Sequence, residues 1–178
     1  MKIQKAHNGM RPQDVLVLLK MISLNTPDFK LVDLAQSLGI SLSEVSDSIS
    51  RSVYANLVAS DKKTPMRNAI YEFMIYGLPY VFPARPGALV VGVPTAHSAP
   101  PLSASFGDTD PVVWADPDGT VKGQEIPPFH PKQAYAAKLD IQLYEMLALI
   151  DALRVGKTRE KKIAKEELKQ KILHESSH

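Results

Sequence analysis

The chain has 178 residues, 21 basic side chains against 19 acidic ones, a formal net charge of +2 and no cysteine. This length suits one good core or a small domain with an appendage, the missing cysteine excludes disulfides, thiolate metal sites and cysteine nucleophiles, and near-balanced charge permits a local nucleic-acid patch without demanding one. The opening residues MKIQKAHNGMRPQD hold no apolar signal segment and no run approaches the ~20 apolar residues of a membrane helix, so the expectation is a cytoplasmic protein without a membrane partner.

The first predicted element is a helix with Pro12 at its first position and Val15, Leu16, Leu18, Leu19 and Ile22 along it. Asn25, Thr26, Pro27 and Asp28 break it, and Phe29 is placed as an apolar staple at the entry to the next helix. Residues 31–58, LVDLAQSLGISLSEVSDSISRSVYANLV, then carry the spacing of two helices across a tight turn. Leu34 and Leu38 share a face, Ala35 is small where the second helix crosses, Ile40 plugs the turn, and Val45 and Ile49 continue an inward stripe. Gly39 ends the first helix in the left-handed region, and Ser41 with Glu44 three residues on forms a capping box for the second.

This stretch resembles the winged helix-turn-helix transcriptional regulators of the MarR, GntR and AsnC type, through Leu34, Ala35, Leu38, Gly39, Ile40, Ser41, Val45, Ser46 and Ile49, with Asn56, Leu57 and Val58 where the family closes its second helix. The resemblance covers roughly residues 12–67. It implies double-stranded DNA as partner, read by the exposed positions of the second helix: Ser41, Ser43, Glu44, Ser46, Asp47, Ser50 and Arg51. Serines reach phosphates or base edges, Glu44 or Asp47 accepts from a cytosine amino group, and Arg51 reaches a phosphate or a guanine. That helix is polar rather than basic, so phosphate charge is assigned to Lys62, Lys63 and Arg67 where a wing would lie, with Lys2, Lys5, Arg11 and Lys20 in or before the first helix. Residues 61–65 leave little room for two wing strands. A helix-turn-helix also serves as a packing or protein-binding module.

Ala69, Ile70, Phe73, Met74 and Ile75 mark a fourth helix, with Gly77 and Pro79 as its stop. Of the fourteen prolines, eleven then fall between Pro79 and Pro131, which is too many for long helices. The same stretch holds Tyr80, Val81, Phe82, Val90, Val91, Val93, Val112, Val113, Trp114 and Phe129, more apolar weight than a disordered linker carries. The reading is an ordered, loop-rich segment with short strands at 88–93 and 112–115, and with a turn at Asp116, Pro117, Asp118 and Gly119 able to join two strands. Thr95, His97, Asp108, Asp110, Asp116, Asp118 and His130 are potential ligands or acid–base groups, but none has metal-site or catalytic spacing. With no P-loop, nucleophile elbow or dinucleotide fingerprint, no cofactor and no metal are expected.

Leu139, Leu143, Met146, Leu147, Ile150 and Leu153 predict a helix that must be covered on more than one side, ended by Gly156. Lys157 to Leu173 hold seven basic residues, Glu160, Glu166, Glu167 and the sparse stripe Ile163, Leu168 and Ile172, which reads as an exposed amphipathic helix with a frayed tail from His174 to His178. The two terminal helices either complete the core or form a homodimer interface.

The fold expected is therefore mainly α: a winged-helix-like helix-turn-helix domain over residues 1–77, a Pro-rich segment with short strands over 78–135, and a C-terminal helical segment over 136–178. The function expected is a non-enzymatic, sequence-specific transcriptional regulator acting as a homodimer on DNA. Two alternatives stand beside it. One is a protein-interaction or antitoxin-like module that neutralises a partner enzyme through residues 78–135 and autoregulates its own promoter. The other is an enzyme using His97 or His130 with the clustered aspartates.

Overall fold

A computed structural model describes residues 8–107 and 109–174. Lys2, Lys5 and Asp108, and all but the first residue of the tail expected to fray, lie outside them.

The first helix, α1 (Pro12–Leu24), begins on its proline, and the Asp14 carboxylate accepts the Arg11 backbone N–H at 2.8 Å to close the first turn. Every residue from Asp14 to Ile22 is buried, so α1 is the central helix of the molecule rather than a one-sided support. Asn25, at φ +51°, ends it. Helix α2 (Leu31–Leu38) buries Leu34, Ala35 and Leu38, and Gly39 at φ +65° terminates it as the spacing predicts. Helix α3 (Leu42–Tyr54) starts on the predicted box: the Glu44 N–H donates to Ser41 Oγ at 3.3 Å and the Ser41 N–H to the Glu44 carboxylate at 3.4 Å. Its inward face is Val45, Ser48, Ile49 and Ser52.

After α3 the chain makes a single antiparallel bridge between Val58 and Pro65, with the Ala59 N–H on the Thr64 carbonyl and the Met66 N–H on the Leu57 carbonyl, both at 2.9 Å. Its tip is held by Asp61, whose carboxylate accepts the Lys63 and Thr64 backbone N–H groups at 2.8 and 2.9 Å and the Thr64 hydroxyl at 2.6 Å. Lys62 takes φ +62° at the tip.

Helix α4 (Arg67–Glu72) follows, and Gly77 and Pro79 do not stop it. The helix widens into one π turn over Phe73–Gly77, with the Leu78 N–H on the Phe73 carbonyl, and resumes as α5 (Leu78–Val81) with Pro79 in its first turn. Proline lacks an N–H and its ring clashes with the carbonyl four residues back in a regular helix. Widening the preceding turn re-phases the ladder so that Pro79 occupies a helix start, where it is tolerated.

The Pro-rich segment is ordered around three short strands, β1 (Leu89–Pro94), β2 (Val112–Ala115) and β3 (Val121–Glu125). The first two fall where the alternation places them, and β3 is one the sequence reading lacks. Strands β2 and β3 run one after the other along β1, both antiparallel to it, and curl until Val112 and Val113 pair in parallel with Gln124 and Glu125. The turn at 116–119 joins β2 to β3 without making them a hairpin. Closing so small a sheet requires backbones to touch: a Cβ on Gly92 would stand 1.9 Å from the Trp114 carbonyl oxygen, and one on Gly119 2.4 Å from the Gly92 backbone. A short helix α6 (Ser103–Phe106) lies between β1 and β2.

The C-terminal part is α7 (Gln133–Leu139), α8 (Ile141–Val155) and α9 (Thr158–Leu173). The helix expected to run from residue 139 is interrupted at Asp140, whose side chain caps α8 by accepting the Leu143 N–H at 3.1 Å. The same carboxylate takes the Lys20 ammonium at 2.7 Å and the Ser23 hydroxyl at 2.5 Å, pinning α8 to α1. Burial alone would raise the Asp140 carboxyl, but these hydrogen bonds and the Lys20 charge bring it below its ordinary value. Helix α8 buries Leu143 and every residue from Met146 to Leu153, as a helix covered on several sides must. Helix α9 is less exposed than its charge implies: Glu160, Ala164, Leu168 and Ile172 are buried, and it packs on α4 and α8. One contiguous apolar cluster joins α1–α4, the sheet and α7–α9. The molecule is mainly helical with a small three-stranded sheet, and among the described residues no helix is long and apolar enough to cross a membrane.

Candidate nucleic-acid interface

Helix α3 is held from behind by a polar cluster that the sequence pattern does not announce. Asp14, fully buried in the first turn of α1, accepts Arg51 Nε at 2.9 Å and Arg51 Nη2 at 2.7 Å, and it also takes the hydroxyl of Ser48. The bidentate fork is the strong geometry for a guanidinium–carboxylate pair, and the Asp14 hydrogen bonds, acting against desolvation, push the Arg51 pKa up. Arg51, expected to reach a phosphate or a guanine, is therefore turned inward and sets how α3 lies on α1. The only signal in the sequence for this was an aspartate at the third position of the helix, which ordinarily closes the first turn; here it does that and binds α3 as well.

With Arg51 inward, the exposed positions of α3 are Ser43, Glu44, Asp47 and Ser50 along its length and the apolar Leu42 and Tyr54 at its two ends, with Ser41 at its cap and Ser46 half-buried at its edge. The Ser50 hydroxyl donates to the Ser46 carbonyl at 3.0 Å, and Ser41 Oγ lies 2.8 Å from the Glu44 carboxylate. The Ser41 side-chain and backbone hydrogen bonds hold the Glu44 carboxyl below its ordinary value. Ser43 and Asp47 project beside them.

The predicted phosphate-binding cations divide. Lys62 is exposed at the tip of the 58–65 bridge. Lys63 is anchored, its ammonium donating to the Phe29 carbonyl at 2.9 Å and lying 5.2 Å from the centre of the Phe29 ring. Arg67 points away from α3: Nη1 donates to the Ile172 carbonyl at 2.8 Å and Nη2 to Asn25 Oδ1 at 2.6 Å, so it ties α4 to the ends of α1 and α9. Lys20 is paired with Asp140, while Arg11 is exposed at the start of α1. Two further cations that sequence reasoning passed over lie around the α2–α3 pair. Lys30 is the residue before the first turn of α2 and lines a groove with Ser46 and the 61–63 turn. Lys132, brought by the segment before α7, packs with Tyr135 against Gly39 in the turn between α2 and α3. No local pattern could have found Lys132, because it arrives from more than ninety residues away.

Most of the potential ligands of the Pro-rich segment hold the fold together. Thr95 Oγ1 donates to Asp151 at 2.7 Å, and His97 Nε2 lies 3.2 Å from the carbonyls of Thr109 and Asp110. Asp116 accepts the Asp118 N–H at 2.9 Å and pairs with Lys138; these two hydrogen bonds, Lys138 first, lower its pKa. His130 Nδ1 accepts the Lys132 N–H at 3.0 Å, and burial pushes its pKa down despite the nearby Glu44 charge. Among the described residues no group of three or more His, Asp or Glu side chains converges as metal ligands do.

Asp151 of α8 forms a second buried centre that the sequence reading overlooked. It is fully buried and accepts Trp114 Nε1 at 2.6 Å, Thr95 Oγ1 at 2.7 Å and Arg154 Nη1 at 2.9 Å. Desolvation raises its pKa, and Arg154, Thr95 and Trp114 oppose that rise. Arg154 also donates to the Phe82 and Pro127 carbonyls, each at 3.0 Å, and lies 4.4 Å from the centre of the Phe129 ring. Tyr144, one turn earlier on α8 than Ala148, donates its hydroxyl to the Pro94 carbonyl at 2.7 Å, and its burial pushes its pKa up to about 12. One face of α8 thus fastens both ends of the Pro-rich segment.

What fold and site define together is a mainly helical protein with a small closed sheet, in which two helices joined by a tight turn present a polar face. Searches of family models, curated proteins and solved structures give no match to this chain.

Proposed function

We propose that this protein is a sequence-specific, DNA-binding transcriptional regulator of winged helix-turn-helix type, with α3 as the helix that enters the major groove. The observation that carries the reading is the two-sidedness of α3. Its apolar and anchoring face is fixed to α1 through Asp14, while Ser43, Ser46, Asp47 and Ser50 are left on or at the edge of the other side, flanked by lysines on three neighbouring elements. A helix that reads base edges has to be held rigidly from behind and offer short polar side chains in front. The bridge at 58–65 acts as a reduced wing, with Lys62 on the phosphate backbone and Lys63 bracing the wing on Phe29, and Lys30 and Lys132 add charge beside Ser46 and at the turn into α3. Arg51 is a positioning residue in this account, and Arg67 braces α4. Two copies on a pseudo-palindromic site would place their α3 helices in successive major grooves.

The test is binding of the purified protein to a labelled duplex from upstream of its own gene against a scrambled duplex, across a salt series. The reading expects a specific excess and a salt slope that falls by about one unit when Lys62 is changed to Ala. Equal, weak binding to both duplexes contradicts it. One observation favours a protein-interaction or antitoxin-like role as a second reading: once Arg51 is paired, the charges left on the exposed side of α3 are Glu44 and Asp47, which suit a basic protein surface better than phosphates. Co-purification of a stoichiometric basic partner, with no DNA preference, would establish that alternative.

A further inference from the structure

A cavity of about 430 Å³ opens where the end of the sheet that pairs Val112 with Gln124, residues 106–110 and the corner between α8 and α9 meet. Its size is that of a small-molecule site, ~300–1,000 Å³. It lies apart from α3: α9 packs on α8, α8 on α1 and α1 on α3, and the cavity shares no lining residue with the polar face of α3. Three kinds of group line it. Phe106, Val112 and Val155 supply an apolar wall. Lys157 and Arg159, at the start of α9, are exposed and have no ion-pair partner among the described residues. The neighbouring Glu160 carboxylate is engaged instead by the Lys157 backbone N–H, which donates to it at 2.9 Å. Arg159 is already placed, its guanidinium carbon 5.5 Å from the centre of the Phe106 ring. The third kind is acceptors. His97 Nε2 lies 3.2 Å from the carbonyls of Thr109 and Asp110. Because a carbonyl only accepts, Nε2 carries the proton and Nδ1 of the neutral ring is left as an acceptor. The Asp110 carboxylate, on a residue at φ +51°, likewise has no ion-pair partner among the described residues. A bare phosphate would leave the wall unused, a free base would leave both cations unused, and a polyphosphate would be repelled by Asp110. A ligand with a flat ring, hydroxyl donors and a single phosphate uses all three.

We propose that this cavity binds a nucleoside 5′-monophosphate, its base against Phe106, Val112 and Val155, its phosphate on Lys157 and Arg159, and its ribose hydroxyls on Asp110 and His97. A guanidinium and an ammonium give phosphate the charge-assisted hydrogen bonds it takes best, bidentate from the arginine. The ribose hydroxyls are the donors that the Asp110 carboxylate and His97 Nδ1 lack. The site is independent of the DNA-binding reading and stands equally in a protein that binds no duplex.

The probes are AMP and UMP, titrated into the whole protein by calorimetry and by amide chemical-shift mapping. The comparison ligands are the nucleosides, which lack the phosphate, ribose 5-phosphate, which lacks the base, and the 2′-deoxy nucleotides, which lack one hydroxyl. A nucleotide is expected to bind with shifts confined to residues 97, 106, 109–112, 124 and 155–160. Affinity is expected to fall by about tenfold or more for the nucleosides, for ribose 5-phosphate and for Arg159→Gln, and by about threefold or more for the 2′-deoxy forms. Arg159 is exposed, so Arg159→Gln should leave the urea midpoint where it is, and Lys157→Gln should show the same loss of affinity in a second variant. Binding of neither nucleotide, equal binding of the nucleoside or of ribose 5-phosphate, or an unchanged affinity in both variants overturns the site. Equal binding of the 2′-deoxy forms overturns the placement of the ribose on Asp110 and His97.

Discussion

Two buried aspartates organise this molecule, and they do so in opposite ways. Asp14 pairs with Arg51 from another helix, 37 residues away, so the ion pair itself fixes the angle between α1 and α3. Asp151 pairs with Arg154 one turn along its own helix, and the long-range work falls to neutral donors, Trp114 and Thr95, and to the Arg154 contacts with the Phe82 and Pro127 carbonyls. The first centre orients one helix against another and leaves α3's outer face free. The second gathers chain with little regular structure, for which backbone carbonyls are the available partners. A buried charge pair is weak evidence for stability in itself, whereas removing one partner strands the other and is costly. Both aspartates should thus be more damaging to lose than the energy of their pairs suggests, and Asp151 more so, because its donors Thr95, Trp114 and Arg154 are all buried, whereas of the donors to Asp14 Arg51 is partly exposed and Arg11 exposed.

The largest effect is expected from Asp151→Ala, which leaves Arg154, Trp114 Nε1 and Thr95 Oγ1 without their acceptor. A loss of about 3–5 kcal/mol in urea unfolding is predicted. A loss below about 1 kcal/mol would remove the second centre from the account. Asp14→Ala should cost about 3 kcal/mol by the same logic. Paired with Arg51→Ala in a double-mutant cycle it should give a coupling of about 1–3 kcal/mol, since the two side chains share hydrogen bonds. Independent effects of the two changes would mean that α3 is oriented by apolar packing alone.

Gly92→Ala tests the region fastened by α8, because its Cβ would be driven into the Trp114 carbonyl where β1 meets both of its partners. About 1–3 kcal/mol is expected, with a near-ultraviolet circular dichroism change at Trp114 and little change in DNA affinity. Acid sensitivity should give the smallest effect. Because the folded Asp140 carboxyl lies below its ordinary value, its contribution is present above the unfolded value and is lost as pH falls through the folded one. Asp140→Asn should therefore flatten the decline of unfolding free energy between about pH 5 and pH 2 relative to the unaltered chain. Asp151, shifted the other way, cannot produce that decline. An unchanged acid profile in Asp140→Asn would mean that the Lys20 and Ser23 contacts do not persist in solution.

The sequence made local features legible and hid those built by distant pairing. Pro12, Gly39 and the Ser41–Glu44 box mark helix ends through hydrogen bonds that close within three or four residues, and the structure has them where the pattern places them. Pro79 misled because a π turn, invisible to pattern, can absorb a proline. Strand β3, VKGQE, has no apolar alternation because it pairs at both ends of a tightly curled sheet, where glycines and close backbones replace side-chain packing. On the candidate interface, the outward serines and acids of α3 were readable from helical periodicity. The inward turn of Arg51, the departure of Arg67 toward α9 and the arrival of Lys132 were not, since each depends on a partner fixed only by the tertiary fold.

The most direct test of α3 as the reading helix is Ser43→Ala combined with Ser50→Ala, two exposed positions whose loss leaves the Asp14–Arg51 centre intact. Anisotropy titrations on the upstream and scrambled duplexes at matched salt should show the specific excess falling at least tenfold while the salt slope and the unfolding free energy stay as they are. An unchanged specific excess would contradict the account and move the reading surface away from α3.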